Sequence, residues 1–249
     1  MTAAVEVQDL RFRYPDGKEA LRGISFTVAD KECVGLVGPN GSGKSTLLLH
    51  LNGILPEQLP SQVQVRVYGK GLTSETAPDL RRAVGLLFQD PDDQLFCPTV
   101  YEDVAFGPQQ FGMPEQELQR VVRQALEQTS LIGSERRSPH HLSSGEKRRV
   151  CLAGVLACQP QVLALDEPTS NLDPRGKRQL IQTLQSISAT KIIATHDLEM
   201  VVQLCSRTIL LDQGVIVADG PTHALLGDED LMLAHGLEKP HILRHLHPH

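Results

Sequence analysis

Cys33-Val-Gly-Leu-Val37 runs without a break into Gly38-Pro39-Asn40-Gly41-Ser42-Gly43-Lys44-Ser45-Thr46, and Ser45 to Leu51 behind it has the pattern of a helix that Gly53 closes. A short apolar strand, a glycine-rich loop and a helix in that order fit G-x-x-x-x-G-K-[ST] in the setting that motif requires. Backbone N–H groups of such a loop converge on one point, and the helix N-terminus adds partial positive charge there, so the segment predicts a phosphate cradle. Gly38, Pro39, Asn40, Gly41, Ser42 and Gly43 form the cradle in this reading. Lys44 then reaches the β- and γ-phosphates, Ser45 holds Mg²⁺ through its hydroxyl, and Thr46 adds a second hydroxyl near the phosphates.

Working outward, Val162 to Leu165 is another apolar run, and it ends in Asp166 and Glu167. Carboxylates at the end of a buried strand are costly unless something pairs with them. A divalent cation beside bound phosphates meets that need, so Asp166 is expected near Mg²⁺ and Glu167 is expected to polarise an attacking water. Ile192 to Thr195 predicts a further buried strand, and Leu180, Ile181, Leu184 and Ile187 between the two have helical spacing. Ile209 to Leu211 and Val215 to Val217 predict a hairpin around Asp212, Gln213 and Gly214.

Apolar strands alternating with helical segments argue for an α/β sheet with crossovers. Two insertions break the rhythm. The opening Val5 to Tyr14, the turn Pro15-Asp-Gly-Lys18 and Leu21 to Val28 alternate apolar and polar residues as a half-buried antiparallel sheet does. From about Asp92 to Gln159 the pattern turns helical, with Leu118, Val121, Val122, Ala125 and Leu126 on one face of a segment that begins after Pro114.

With 249 residues and 40% hydrophobic content the chain can fill the core of one domain, so disorder is excluded as a description. A formal net charge of −6 carries no basic footprint, which argues against a nucleic-acid partner. Cys33, Cys97, Cys151, Cys158 and Cys205 are odd in number and lack a C-x-x-C pair, as suits a reducing compartment. The N-terminus has no export pattern, and no run approaches the roughly 18 apolar residues of a spanning helix.

Phosphate loop and acidic strand end together define only a P-loop NTPase. Leu142-Ser143-Ser144-Gly145-Glu146 narrows the field, because it resembles the L-S-G-G-Q signature of the ABC ATPases. Other marks of that family follow in the same order: Tyr14 resembles the aromatic that stacks on adenine, Gln89 the Q-loop glutamine, Ser170-Asn-Leu-Asp173 the D-loop and His196 the switch histidine. Singly, Tyr14, Gln89 and His196 have ordinary readings as a core aromatic, a loop residue and a strand-end histidine. At matching points of one pattern they are assigned function.

The resemblance implies a single domain over residues 1–249: a RecA-like α/β core with an antiparallel β subdomain and an inserted helical subdomain at about 92–159. It implies ATP and Mg²⁺ as cofactors, with Ser45, Gln89 and Asp166 on the metal and Glu167, His196 and Gln89 in catalysis. It further implies two copies, or this chain and a paralogous ATPase, with Ser143, Gly145 and Glu146 of one subunit meeting ATP held by the other, and Asp173 of the D-loop as a further nucleotide-binding residue. The signature departs from the family's usual form at two positions. Ser144 replaces glycine and adds a Cβ, while Glu146 replaces glutamine and adds negative charge, so affinity for an ATP-loaded partner is expected to be altered.

Gln89-Asp-Pro-Asp-Asp-Gln-Leu-Phe96 and Pro98-Thr-Val100-Tyr-Glu-Asp-Val-Ala-Phe-Gly107-Pro108 resemble the energy-coupling-factor importers of vitamins and transition metals. That class implies integral membrane subunits docking through a coupling helix, a separate membrane substrate-binding subunit, and a peripheral position at the cytoplasmic face. Leu95, Phe96, Val100 and Phe106 serve either that docking groove or the core of the helical lobe. Ala234-His-Gly-Leu-Glu-Lys-Pro-His241 resembles the cobalt and nickel branch, with a vitamin importer or a soluble ABC ATPase of an assembly process as alternatives. His235, His241, His245, His247 and His249 crowd the C-terminus; with Pro240 and Pro248 among them, a solvated tail over 240–249 is expected in preference to a metal site.

Overall fold

The computed structural model describes residues 3–58 and 62–244. Strands β1 (Ala3–Arg13) and β2 (Glu19–Ala29) pair antiparallel with Val5 beside Val28, and bury alternate side chains as their sequence predicts. Strand β3 (Cys33–Val37) leads through the glycine-rich loop into helix α1 (Lys44–Leu51). Short strands β4 (Val65–Val67) and β5 (Lys70–Gly71) extend the first sheet to the order β2-β1-β4-β5. Helix α2 (Ala77–Ala83) and strand β6 (Val84–Leu87) come next. Three apolar residues and a glycine directly after a helix make too short a run to mark a strand, and β6 is absent from the sequence reading.

The helical lobe contains α3 (Val100–Gln110), α4 (Glu115–Gln128) and α5 (Ser144–Ala157). Strand β7 (Val162–Asp166), helix α6 (Pro174–Ser186), strand β8 (Thr190–Ala194) and helix α7 (Leu198–Leu204) return the chain to the core. Strands β9 (Arg207–Asp212) and β10 (Val215–Pro221) form the expected hairpin, with Gln213 and Gly214 both at positive φ, as its two-residue turn demands. Helices α8 (Thr222–Gly227), α9 (Glu229–Ala234) and α10 (His241–Arg244) end the described chain.

The second sheet has the order β10-β9-β3-β8-β7-β6, parallel except for the edge strand β10. Its central strands are buried on both faces, which is why they read as continuous apolar runs. Successive side chains serve different cores: Val162 and Ala164 pack with Leu47 and Val65 toward the antiparallel sheet, while Leu163 and Leu165 pack with Val121 and Val150 toward the helical lobe. A three-layer domain results. Because β3, β6, β7 and β8 are parallel neighbours in that sheet, the residues following each of them emerge along one edge. Gly38, Gln89, Glu167 and His196 are those residues.

The C-terminal segment differs from the expected solvated tail. Residues 241–244 form α10, Leu243 is buried in the main core, and the Ile242 N–H donates to Glu199. His235 is half-buried and its Nδ1 lies 2.8 Å from Asp212 Oδ2. An apolar residue three positions past Pro240 restores the burial that the prolines and histidines obscured. His245, His247 and His249 lie outside the described residues. Among the described residues no group of three or more His, Cys, Asp or Glu is placed to hold a metal, and no helix is long and apolar enough to cross a membrane.

Candidate nucleotide site

The phosphate loop is shaped by glycines that no other residue could replace. Gly38 (φ 150°) passes so close to β9 that a Cβ would stand 1.9 Å from the Leu211 carbonyl oxygen, and at Gly43 (φ 110°) a Cβ would stand 2.6 Å from Ala20 O. Gly214 N–H donates to Ser42 O at 3.0 Å and so fastens the β9–β10 turn beneath the loop. Lys44 is nearly buried, and its ammonium donates to Gly38 O (2.8 Å) and Pro39 O (3.0 Å). Burial pushes Lys44 below the usual lysine range while Glu167 and Asp166 pull it back up, so the charge sits where anionic ligand oxygens would complete it.

Asp166 closes β7 with its side chain almost wholly buried, and its Oδ1 has no hydrogen-bond partner among the described residues. Burial raises its pKa, opposed chiefly by a hydrogen bond from Ser45. A desolvated carboxylate with a free oxygen beside a serine hydroxyl is the donor set a hard divalent cation accepts. Glu167 adopts a left-handed backbone (φ 44°), a conformation that costs a non-glycine residue about 1 kcal/mol or more. That turn sends the carboxylate back over β8. Its Oε2 accepts from Thr195 Oγ1 (2.9 Å) and its Oε1 accepts from the His196 backbone N–H (3.0 Å), while His196 Nδ1 lies 2.9 Å from Oε2. Two donors aim one carboxylate, and the exposed His196 ring stands beside it.

Tyr14 is half-buried with its hydroxyl 2.9 Å from Thr46 Oγ1 and its ring edge-to-face with Phe12. Thr46 therefore braces Tyr14 from the first turn of α1. Ser42 is turned inward, its hydroxyl buried and its N–H donating to Pro39 O, so it shapes the loop from beneath. The other predicted residues, Tyr14, Gly38 to Gly41, Gly43 to Thr46, Gln89, Asp166, Glu167 and His196, share one cavity of about 910 Å³.

Lys18, Gly236 and Leu237 line the same cavity without having been expected there. Lys18 follows Tyr14 by four residues, a proximity that pointed to it. Gly236 and Leu237 arrive from α9, near the His235–Asp212 pair, and nothing local in the sequence marks them. Arg148 is a further residue that sequence reasoning missed. It is fully buried in α5, and its guanidinium donates to Phe88 O (2.7 Å) and Gln89 O (2.6 Å), clamping the backbone at Gln89. A lone arginine between Lys147 and Arg149 reads as a solvated helix face.

Ser143, Gly145 and Asp173 are not in the nucleotide cavity. With Ser144, Asn171, Arg149 and Arg175 they line a separate cavity of about 480 Å³. Asp173 caps α6, accepting from the Gly176 N–H at 2.7 Å. Helix α5 starts at Ser144 because Ser143 and Glu146 form a reciprocal capping box. Glu146 Oε2 accepts from the Ser143 N–H and hydroxyl (both 2.9 Å), while Oε1 accepts from Arg137 at 2.6 Å. These donors hold Glu146 at about 2, with the Ser143 backbone bond the largest cause. The expected extra negative charge of the signature is thus turned inward and paired. Ser144 adopts helical geometry, and its hydroxyl donates to Asn171 O at 3.2 Å, tying signature to D-loop.

Residues 21–170 match the ABC transporter family, and the chain belongs to it: it is an ATP-hydrolysing ABC ATPase with a P-loop NTPase core. Its kind is the energy-coupling-factor type. It is 53% identical over 242 residues to a Gloeobacter violaceus protein named among the ABC transporter ATP-binding proteins, covering 96% of this chain and 98% of that one. It is 44% identical over 241 residues to the energy-coupling factor transporter ATP-binding protein EcfA of Methanothermobacter thermautotrophicus, covering 95% of this chain and 76% of that one. The structure of cbiO1 from Clostridium perfringens, described as part of the ABC transporter complex cbiONQ, superposes with a TM-score of 0.81 at 35% identity and 98% coverage of both chains.

Proposed function

We propose that this chain is one of two ATPase subunits at the cytoplasmic face of an importer for a transition metal ion, cobalt or nickel, and that ATP with Mg²⁺ binds between the two. One observation carries the shared-site reading: the phosphate loop and the signature open into different cavities of the same chain. A second chain is needed to bring Ser143 and Gly145 to bound phosphates. Gly145 supports this, because a Cβ there would meet only Leu172 at an ordinary 3.5 Å, so nothing within its own chain demands glycine. An approaching ligand does.

Mg²⁺ fits Asp166, Ser45 and Gln89, and when bound it neutralises charge on the β- and γ-phosphates. Lys44 holds those phosphates, the loop N–H groups fix their position, and Glu167 orients a water and takes its proton. His196 holds Glu167 in place through its backbone N–H, and its exposed ring lies at the surface a partner would cover. Of the four apolar residues read as serving either the docking groove or the core of the helical lobe, Leu95 and Val100 belong to the core, while Phe96 (62% exposed) and Phe106 (40% exposed) stack edge-to-face at the surface. That aromatic pair suits the coupling helix of a membrane subunit.

The test is sedimentation of the Glu167→Gln protein with ATP, alone and carrying Ser143→Glu. Glu167→Gln is expected to lower turnover strongly and to trap a dimer. A negative charge about 4 Å from a phosphate costs roughly 4 kcal/mol at an effective dielectric near 20, which weakens association about a thousandfold. Undiminished dimer in the double variant refutes the shared site. A parallel loss of nucleotide affinity in the monomer places Ser143 on its own subunit's nucleotide.

A further inference from the structure

Away from the nucleotide cavity, two thiols touch. Cys33 opens β3 and Cys205 caps the C-terminus of α7, 172 positions apart in the chain, yet their Sγ atoms are 3.4 Å apart. Pairing of β3 with β9, Val34 beside Arg207, brings them together. Cys205 is buried and Cys33 half-buried, so a small solute reaches Cys33 first. On the other side of β3, Lys191 is the direct cross-strand neighbour of Cys33, its buried ammonium donating to Ile187 O and Ala189 O.

This environment separates the two thiols chemically. The hydrogen bond from Cys205, helped by the charge of Lys191, holds Cys33 below the ordinary thiol range. The same bond, with burial, drives Cys205 upward. Burial pushes Cys97 and Cys158 up to about 11 and Cys151 up to about 12, so the remaining thiols stay protonated and inert.

We propose that Cys33 and Cys205 form an oxidisable dithiol, a modification site for hydrogen peroxide whose closure to a disulfide slows ATP hydrolysis. The Cys33 thiolate attacks one peroxide oxygen. An S–O bond forms, the O–O bond breaks, and hydroxide leaves and takes up a proton as water. Cys205 sulfur then attacks the sulfenic sulfur, forming the S–S bond and breaking the S–O bond, while its proton leaves with that oxygen as a second water. Two thiols lose two electrons to one peroxide.

Closure draws the sulfurs from 3.4 Å to about 2 Å. Strand β3 continues at its far end into the phosphate loop. Helix α7 begins just after His196, and Asp197 at its N-cap is held by Thr169 (2.9 Å) and Lys177 (2.7 Å). A bond between β3 and the end of α7 therefore restrains two elements that carry the reacting groups.

The experiment treats the purified full chain with hydrogen peroxide, alkylates the remaining thiols and maps unreduced peptides by mass spectrometry, with turnover measured before and after dithiothreitol. The expected result is one cross-linked peptide pair joining Cys33 to Cys205, with Cys97, Cys151 and Cys158 alkylated. Turnover should fall roughly tenfold, since displacements near 1 Å carry effects of that size and larger, and dithiothreitol should restore it. Cys33→Ser and Cys205→Ser should keep their turnover through the same treatment. Absence of the linked pair overturns the proposal, as does a linked pair with unchanged turnover or an equal loss in Cys33→Ser. If buried Cys205→Ser does not fold, the peptide map of the parent and the Cys33→Ser protein decide.

Discussion

Replacing Glu146 by alanine removes three hydrogen bonds at once: two from Ser143 and one from Arg137. Holding a carboxyl at about 2 instead of 4.5 corresponds to about 3.4 kcal/mol in a fully shielded setting. The pair is partly open to water, 24% exposed at Glu146 and 44% at Arg137, so solvent screening cuts the net effect to about 1–2 kcal/mol. Loss of a helix cap alone costs about 1 kcal/mol, which agrees. Glu146→Ala should therefore lower Tm by about 2–8 °C. Glu146→Gln keeps the reciprocal cap and loses the ion pair, so its penalty should be about half as large.

The sign of the pH dependence follows from a pKa depressed in the folded state. Glu146 stabilises the protein fully above about 4.5, where the unfolded carboxyl is also ionised, and that contribution is lost as pH falls from there through about 2. The gap between parent and Glu146→Ala should shrink by roughly 0.4 kcal/mol between pH 7 and pH 4 after screening. Urea unfolding of both proteins across this range is the assay. Equal stability at pH 7, or a gap that does not change with pH, would refute the inward-turned carboxylate and return Glu146 to the partner-facing surface.

Arg148→Met should cost about 2–4 kcal/mol, because it leaves the Phe88 and Gln89 carbonyls without their donor, and should lower turnover more than nucleotide affinity; unchanged urea midpoint and unchanged turnover would remove Arg148 from the clamp. Removal of residues 241–249 takes Leu243 out of the core and should lower stability by about 1.5–3 kcal/mol, while turnover of the folded protein at 25 °C stays within about twofold. Calorimetry beside an ATPase assay checks this, and loss of turnover with the fold intact would tie α10 to the nucleotide cavity.

The chemistry of each site segment was legible in the sequence because it is local. The phosphate loop needs glycines and a lysine at fixed offsets, the parallel strands need continuous apolar runs, and α4 shows its buried face at helical spacing. The loop after β3 and the two acids at the end of β7 were recognisable from the runs preceding them, while Gln89 and His196 were assigned through the family resemblance alone. Where burial depends on what lies across the fold, the sequence was silent or misleading. Glu146 reads as an added surface charge until Arg137 is seen beside it, Arg148 as a solvated basic residue until the Gln89 carbonyl is seen on it, and Leu243 as part of a histidine tail until the core closes over it.

The sequence by itself thus determined the strands of the core sheet other than β6, the chemistry at the ends of β3 and β7, and the family. Only the tertiary structure decided which polar groups meet, because those meetings depend on strand order. β8 lies between β3 and β7, and this sets His196 against Glu167. β9 lies beside β3, and this sets Cys205 against Cys33 and Leu211 against Gly38. A periodicity along one segment records which of its faces is apolar, but it holds no record of which distant segment will cover that face.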